Sequence, residues 1–87
     1  MSKFIVSYDL VKRKDYPQLW DEFKRLNGHK CLRSVYFVDC TATAQSLLDH
    51  LKGFVDGDDQ LVVVEFDKRP ATYRAFEGTT PWIAARF

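Results

Sequence analysis

The chain has 87 residues, of which 46% are hydrophobic, and its formal net charge is +1 at neutral pH. A chain of this length folds as one small domain, because it cannot build two separate hydrophobic cores. It contains no apolar run of about 20 residues and no secretory signal pattern at its N-terminus, so we expect a cytoplasmic protein without a membrane span.

Charge is distributed unevenly along the chain. Residues 1–33 carry eight Lys or Arg against four acids, residues 34–67 carry one against seven, and residues 68–87 carry four against one. A protein that coats DNA without specificity would have a high overall pI, so this class is disfavoured. The pattern still allows a local basic patch or electrostatic self-association.

The first predicted element is a strand over residues 3–9, where alternating side chains lead up to Asp9. A carboxylate at the end of a strand is where α/β proteins tend to place chemistry. The basic run Lys12, Arg13 and Lys14 follows directly, and this pairing suggests a nucleic-acid site. In the structural alternative, Asp9 accepts backbone hydrogen bonds from the next turn and the basic run is a solvated loop.

The next predicted element is a helix. Asp15 is the predicted N-cap and Pro17 suits the first turn, where its missing N–H costs nothing. Apolar residues then repeat at helical spacing as far as Leu26, and Asn27-Gly28 is predicted to end the helix.

An extended region is predicted over residues 31–39, as one bent strand or two short strands. Thr41 or Thr43 is predicted to cap a second helix, whose apolar face continues to Val55. An acidic turn follows, and residues 61–66 form the strongest predicted strand.

This order is βαβαβ, and it becomes βαββαβ if the middle region splits. The prediction is then an α+β ferredoxin-like two-layer sandwich spanning residues 1–87, with two helices on one face of the sheet. The other face needs a cover, and a homodimer through the sheet face is the simplest one. Residues 68–87 are too apolar for a free end, so we expect them to dock on the sheet or to swap onto a second subunit.

Several short motifs together resemble the SinR-like proteins: Ile5-Val6-Ser7-Tyr8-Asp9-Leu10, Asp15-Tyr16, Ser34-Val35-Tyr36-Phe37, and Asp56, Asp58-Asp59 with Leu61-Val62-Val63. That family is similar to the CRISPR spacer-acquisition nuclease-like subunit and to the VapD toxins. The resemblance covers about residues 1–67. It implies a ferredoxin-like homodimer and, for some members, metal-dependent endonuclease activity on RNA or DNA.

Carried onto this chain, the resemblance implies that Asp9 is the catalytic, metal-binding acid and that Ser34 is the polar residue opening the central strand motif. The Asp9 carboxylates of two subunits would face each other and bind Mg²⁺, with Mn²⁺ as a substitute. Many members of the CRISPR branch have a Glu where this chain has Phe37, so a second acid is missing here.

Lys30 and Arg33 complete the predicted nucleic-acid-binding set, together with the basic run after Asp9. A second hypothesis is a non-catalytic protein-binding module in a toxin–antitoxin, phage or anti-defence setting. The uneven charge and Phe37 favour this module, whereas Asp9 beside the basic run favours the nucleic-acid protein.

The remaining candidate residues predict no further site. His29 and His50 lack the spacing of zinc ligands. Cys31 and Cys40 are expected to be reduced, and the stretch 56–59 lacks the acid pattern of a calcium loop.

Overall fold

The computed structural model describes residues 2–11 and 16–87. Their elements are β1 (Ser2–Asp9), α1 (Pro17–Arg25), β2 (His29–Leu32), β3 (Val35–Cys40), α2 (Ala44–Leu51), a 3-10 turn (Lys52–Phe54), β4 (Gln60–Phe66) and α3 (Thr79–Ala84). The predicted cap Asp15 and the predicted basic run Lys12, Arg13 and Lys14 lie outside the described residues.

The strands form one antiparallel sheet in the order β2-β3-β1-β4. The region predicted as one or two strands is two, separated by a turn at Arg33 and Ser34. Within the described residues the chain is therefore a small α+β protein with a four-stranded antiparallel sheet and three α-helices, an arrangement compatible with two layers.

The first face of the sheet, which carries Phe4, Val6 and Tyr8 of β1, holds the main core. Helices α1 and α2 supply buried Leu19, Phe23, Leu47 and Leu51 to the same cluster. Burying side chains of this size removes apolar surface from water, which contributes most of the driving force for folding.

Helix α1 begins at Pro17 with Tyr16 as its N-cap, one residue after the predicted cap Asp15. The end of α1 and the start of α2 follow the predicted signals. Asn27 adopts a left-handed φ of 58° after α1, and a Cβ on Gly28 would lie 2.6 Å from the Phe23 carbonyl oxygen. Thr43 caps α2, because its side chain accepts a hydrogen bond from the Ser46 amide. The expected extension of the α2 face to Val55 is wrong.

Helix α2 ends at Leu51, where the 3-10 turn replaces it, and Val55 is extended. This turn contains Gly53, and glycine is among the poorest residues in a helix interior. Val55 nevertheless packs against the main core from the connection to β4.

The second face of the sheet is half covered by the C-terminal segment. Trp82 and Ile83 of α3 pack there with Cys31 and Phe37 in a second buried cluster. On the β4 side of this face, the side chains of Val62 and Val64 remain 59% and 49% exposed. Across residues 2–11 and 16–87, no helix has the length and apolar character needed to cross a membrane.

A candidate polar cavity at the end of β1

A cavity of about 220 Å³ opens where β1 ends. It is lined by Asp9, Lys30, Arg33 and Ser34, together with Tyr8, Leu10, Tyr16 and Trp20. Four of the residues selected from the sequence are thus brought together, although they lie up to 25 positions apart. The three cations of the basic run cannot be placed relative to this cavity, since they lie outside the described residues.

The turn between β2 and β3 is held against the end of β1 by Tyr8. The Tyr8 amide donates to the Ser34 carbonyl at 3.1 Å, and its hydroxyl donates to the Arg33 carbonyl at 3.2 Å. Burial, reinforced by neighbouring Tyr36 and Cys31, raises the pKa of Tyr8 above its ordinary value, so the phenol keeps its donor proton. Arg33 and Ser34 are therefore fixed beside Asp9, the next residue of β1.

An aromatic cluster supports the Lys30 side of the cavity. The Trp20 ring is stacked with Tyr36, with centroids 6.0 Å apart, and lies 5.5 Å from Tyr8. The Lys30 ammonium lies 5.5 Å from the Trp20 ring centroid. A cation over an indole face is attracted by the ring quadrupole, so this contact orients the lysine at the cavity wall.

The Asp9 side chain is exposed and has no hydrogen bond or ion pair with any residue of the described ranges. The backbone amide of Val11, which follows β1, donates instead to Asp59. Its carboxylate accepts from the Val11 and Asp56 amides, both at 2.8 Å, and from the Tyr16 hydroxyl at 3.2 Å. Asp59 is therefore the structural carboxylate of this end of the sheet.

The sequence contained a signal for this role of Asp59. Asp side chains in turns commonly accept hydrogen bonds from nearby backbone amides, and Asp59 closes an Asp-Gly-Asp-Asp turn. Its bond to Val11, 48 positions away, could not be anticipated without the strand register.

Asp9 also borders a second, wider groove of about 610 Å³. That groove runs along β4 and is lined by Ser7, Tyr8, Asp59, Gln60, Leu61 and Val62 besides Asp9. Asp9 thus separates a cavity with two cations from a groove whose charged groups are acidic, and a bound anion would be attracted to the cavity side.

Metal ligands are sparse in this region. Within the described ranges there is no cluster of three His, Cys, Asp or Glu side chains, and Asp9 is the single carboxylate lining the cavity. Phe37, which stands where the resemblance led us to look for a second acid, is 5% exposed and packs against Trp82 on the second face. Mg²⁺ is often held by one or two carboxylates plus substrate phosphates, so Asp9 suits such a site only with substrate bound.

The other sequence candidates make structural contacts. His50 lies 2.5 Å from Glu22, and His29 lies 2.8 Å from the Thr79 hydroxyl. Cys31 and Cys40 are free thiols.

Comparison with known proteins adds no family assignment. No protein-family model matches this chain, and no significant match was found among solved structures. The resemblance to the SinR-like proteins therefore stays a prediction.

Proposed function

We propose that this chain is a nucleic-acid-binding protein that acts as a homodimer and holds backbone phosphates in the cavity at the end of β1. One observation carries the proposal: Asp9, Lys30, Arg33 and Ser34 line the same small cavity. Lysine, arginine and hydroxyl groups are the side chains that most often contact phosphate oxygens.

The two cations are available for such contacts. The Arg33 side chain is exposed and its backbone carbonyl, not its guanidinium, is engaged by Tyr8. Lys30 is partly buried against Trp20, which leaves its ammonium at the wall of the cavity. Arg33 can bind a phosphate through two parallel N–H bonds, whereas Lys30 acts as a point charge.

Asp9 has the wrong charge for direct phosphate contact, and this gives it a distinct role in the proposal. An uncompensated carboxylate beside a phosphate repels it, and Asp9 would instead favour the phosphate if it held a Mg²⁺ ion. Mg²⁺, or Mn²⁺ in its place, would supply a polarised phosphoryl oxygen and an activated water. If the protein is an enzyme, we propose that it cleaves RNA or DNA and that Asp9 holds the metal ion.

We propose a ferredoxin-like sandwich as the scaffold. The order of elements, the strand order β2-β3-β1-β4 and the two helices over the first face support it. Exposed Val62 and Val64 support a homodimer through the sheet, because neighbouring apolar side chains on an open sheet mark interaction surfaces.

The alternative function is a non-catalytic protein-binding module. It is favoured by Phe37, which lies in a buried cluster where the resemblance would require a second acid. In that case the exposed valines of β4 would bind the protein partner, and the cavity at Asp9 would have no nucleic-acid ligand.

The test measures fluorescence anisotropy of short labelled single-stranded RNA, single-stranded DNA and duplex DNA over a series of salt concentrations, in EDTA and then in Mg²⁺. The double variant Lys30→Gln/Arg33→Gln should bind more weakly. On single strands, the slope of the logarithm of the binding constant against the logarithm of the salt concentration should become less steep. The change should be about 0.7 for each phosphate that is no longer neutralised by a cation. The matched control is Lys24→Gln/Lys52→Gln, which removes two exposed cations that do not line the cavity.

Asp9→Asn separates binding from cleavage in the same assay. In EDTA it should bind up to about fivefold more tightly than wild type, because a like charge beside the phosphate is gone. In Mg²⁺ it should lose any cleavage seen on gels. Equal affinities and salt slopes for wild type, the cavity variant and the control would reject the phosphate site.

A further inference from the structure

The two edges of the sheet are not equivalent. On the β2 edge, the Phe76 amide donates to the Cys31 carbonyl at 2.9 Å, so the C-terminal segment satisfies part of that edge. On the β4 edge, no backbone hydrogen bond reaches outward to another of the described residues. Open edges of long strands are templates for pairing with another chain.

The outward-facing groups of β4 can be identified from the register. The Tyr8 amide donates toward the β3 side, so the odd-numbered residues of β1 direct their backbone groups toward β4. Their partners in β4 are even-numbered, as in the pair Ile5 and Val64. The amides and carbonyls of Leu61, Val63 and Glu65 therefore face the open edge.

We infer that a second copy of this chain pairs with this edge, β4 antiparallel to β4 about a two-fold axis at Val63. This inference rests on the homodimer of the proposed function and names its interface. Antiparallel pairing about Val63 overlaps the whole strand, Gln60–Phe66. It brings outward-facing residues opposite one another and forms up to about six hydrogen bonds.

The side chains suit this register. Val62 lies opposite the partner's Val64 in the closely spaced pairs, and both valines are exposed in the single chain. Cross-strand pairs of β-branched residues stabilise a sheet. Pairing therefore brings the exposed valines of the two chains side by side and removes part of their apolar surface from water.

The charged residues beyond the ends of β4 also favour a second copy of this chain as the partner. Beyond the ends of the strand, exposed Asp58 would lie opposite the partner's Lys68, and Arg69 is adjacent. Neither Asp58 nor Lys68 has an ion pair with a described residue of its own chain. The acidic middle and basic end of the sequence thus become complementary across the axis. Asp59 would face the partner's Asp67, but its carboxylate is turned to its own Val11 and Tyr16.

This interface separates the two cavities. Asp9 pairs with Gln60, three residues along the strand from the axis. Strand rise and spacing then place the two Asp9 residues roughly 25 Å apart. The carboxylates of the two subunits do not meet, unlike in the face-to-face dimer that the sequence resemblance implies, and each cavity works with one acid.

The test is the mass in solution, measured by light scattering and sedimentation over micromolar concentrations. Wild type should have twice the chain mass of 10.2 kDa. Glu65→Pro removes an outward amide that β1 does not use, and proline is tolerated on the outer side of an edge strand. Its dimer dissociation constant should rise roughly tenfold or more. Glu65→Ala, which keeps the amide, should stay close to wild type.

A charge swap gives a second measurement. Asp58→Lys should weaken the dimer roughly tenfold through its two symmetric contacts, and adding Lys68→Asp should restore it. A monomeric wild type, a dimer indifferent to Glu65→Pro, or a charge swap without rescue would each overturn the edge pairing. Nucleic-acid anisotropy on the Glu65→Pro monomer tests the cavity separately, so failure of the interface and failure of the site are distinguishable.

Discussion

Glu22 on α1 should make the stability of this protein depend on pH in the acid range. The residue is 8% exposed, and its carboxylate accepts hydrogen bonds from the Arg25 guanidinium and contacts the His50 ring at 2.5 Å. The bond from Arg25, followed by that from His50, lowers the pKa of Glu22 from 4.5 to about 2. This group of three charged or polar side chains links α1 to α2 over the first face of the sheet.

The size of the effect follows from this shift. The pKa of the Glu22 carboxyl is about 2.5 lower in the folded than in the unfolded chain, and this difference corresponds to about 3.4 kcal/mol. The Arg25 and His50 side chains are 64% and 46% exposed, so water screens the interaction. We therefore expect about 1–2 kcal/mol of net stabilisation at neutral pH.

The lowered pKa of Glu22 determines the direction in which stability changes with pH. Between about pH 2 and 4.5 the unfolded chain binds the proton more readily, so the free energy of unfolding falls as pH falls through this window. Urea unfolding of wild type and Glu22→Gln should differ by about 1–2 kcal/mol at pH 7 and converge only below about pH 2.

Asp21→Asn is the matched control, since Asp21 is an exposed acid on the same helix. It should change the free energy of unfolding by less than about 0.5 kcal/mol. A gap between wild type and Glu22→Gln that stays constant from neutral pH into the acid range would refute the ionic origin of the stabilisation.

Three further variants test the structural account. Asp59→Ala removes the acceptor of the Val11, Asp56 and Tyr16 donors and should cost about 2 kcal/mol in urea unfolding; a loss below about 0.5 kcal/mol would contradict that role. Trp82→Ala should cost about 3–5 kcal/mol, much of the stability of so small a domain, and flatten the near-ultraviolet circular dichroism. Trp82→Phe keeps the packing on Phe37 and should cost about 1 kcal/mol, because it removes the indole hydrogen bond to the Asn27 carbonyl at 3.0 Å.

The elements with strong local signals could be predicted from the sequence. Alternation defined β1 up to Asp9, Asn27-Gly28 ended α1, and Thr43 capped α2. Helix α3 was not predicted as a helix, because it has only six residues and includes Pro81. Its stability comes from packing Trp82 on the second face, which is tertiary information.

The residues of the candidate site could be predicted from the sequence, but the fact that they meet in one cavity could not. Asp9 ends a strand, and Lys30, Arg33 and Ser34 flank or form the next hairpin turn. They meet because β3 runs antiparallel to β1 and so brings its preceding turn to the same end of the sheet. That outcome needed the division of residues 31–40 into two strands, which periodicity alone did not decide.

The C-terminal segment has a consequence for how many chains can join. By donating from Phe76 to Cys31 and placing α3 beside β2, the C-terminal segment occupies part of the edge at one end of its own sheet. A sheet that can be extended from one end only stops growing after a single addition, whereas two open ends would permit an endless fibre. If the proposed edge pairing holds, the tail would limit assembly to two chains, and a truncation that removes it should produce species larger than a dimer.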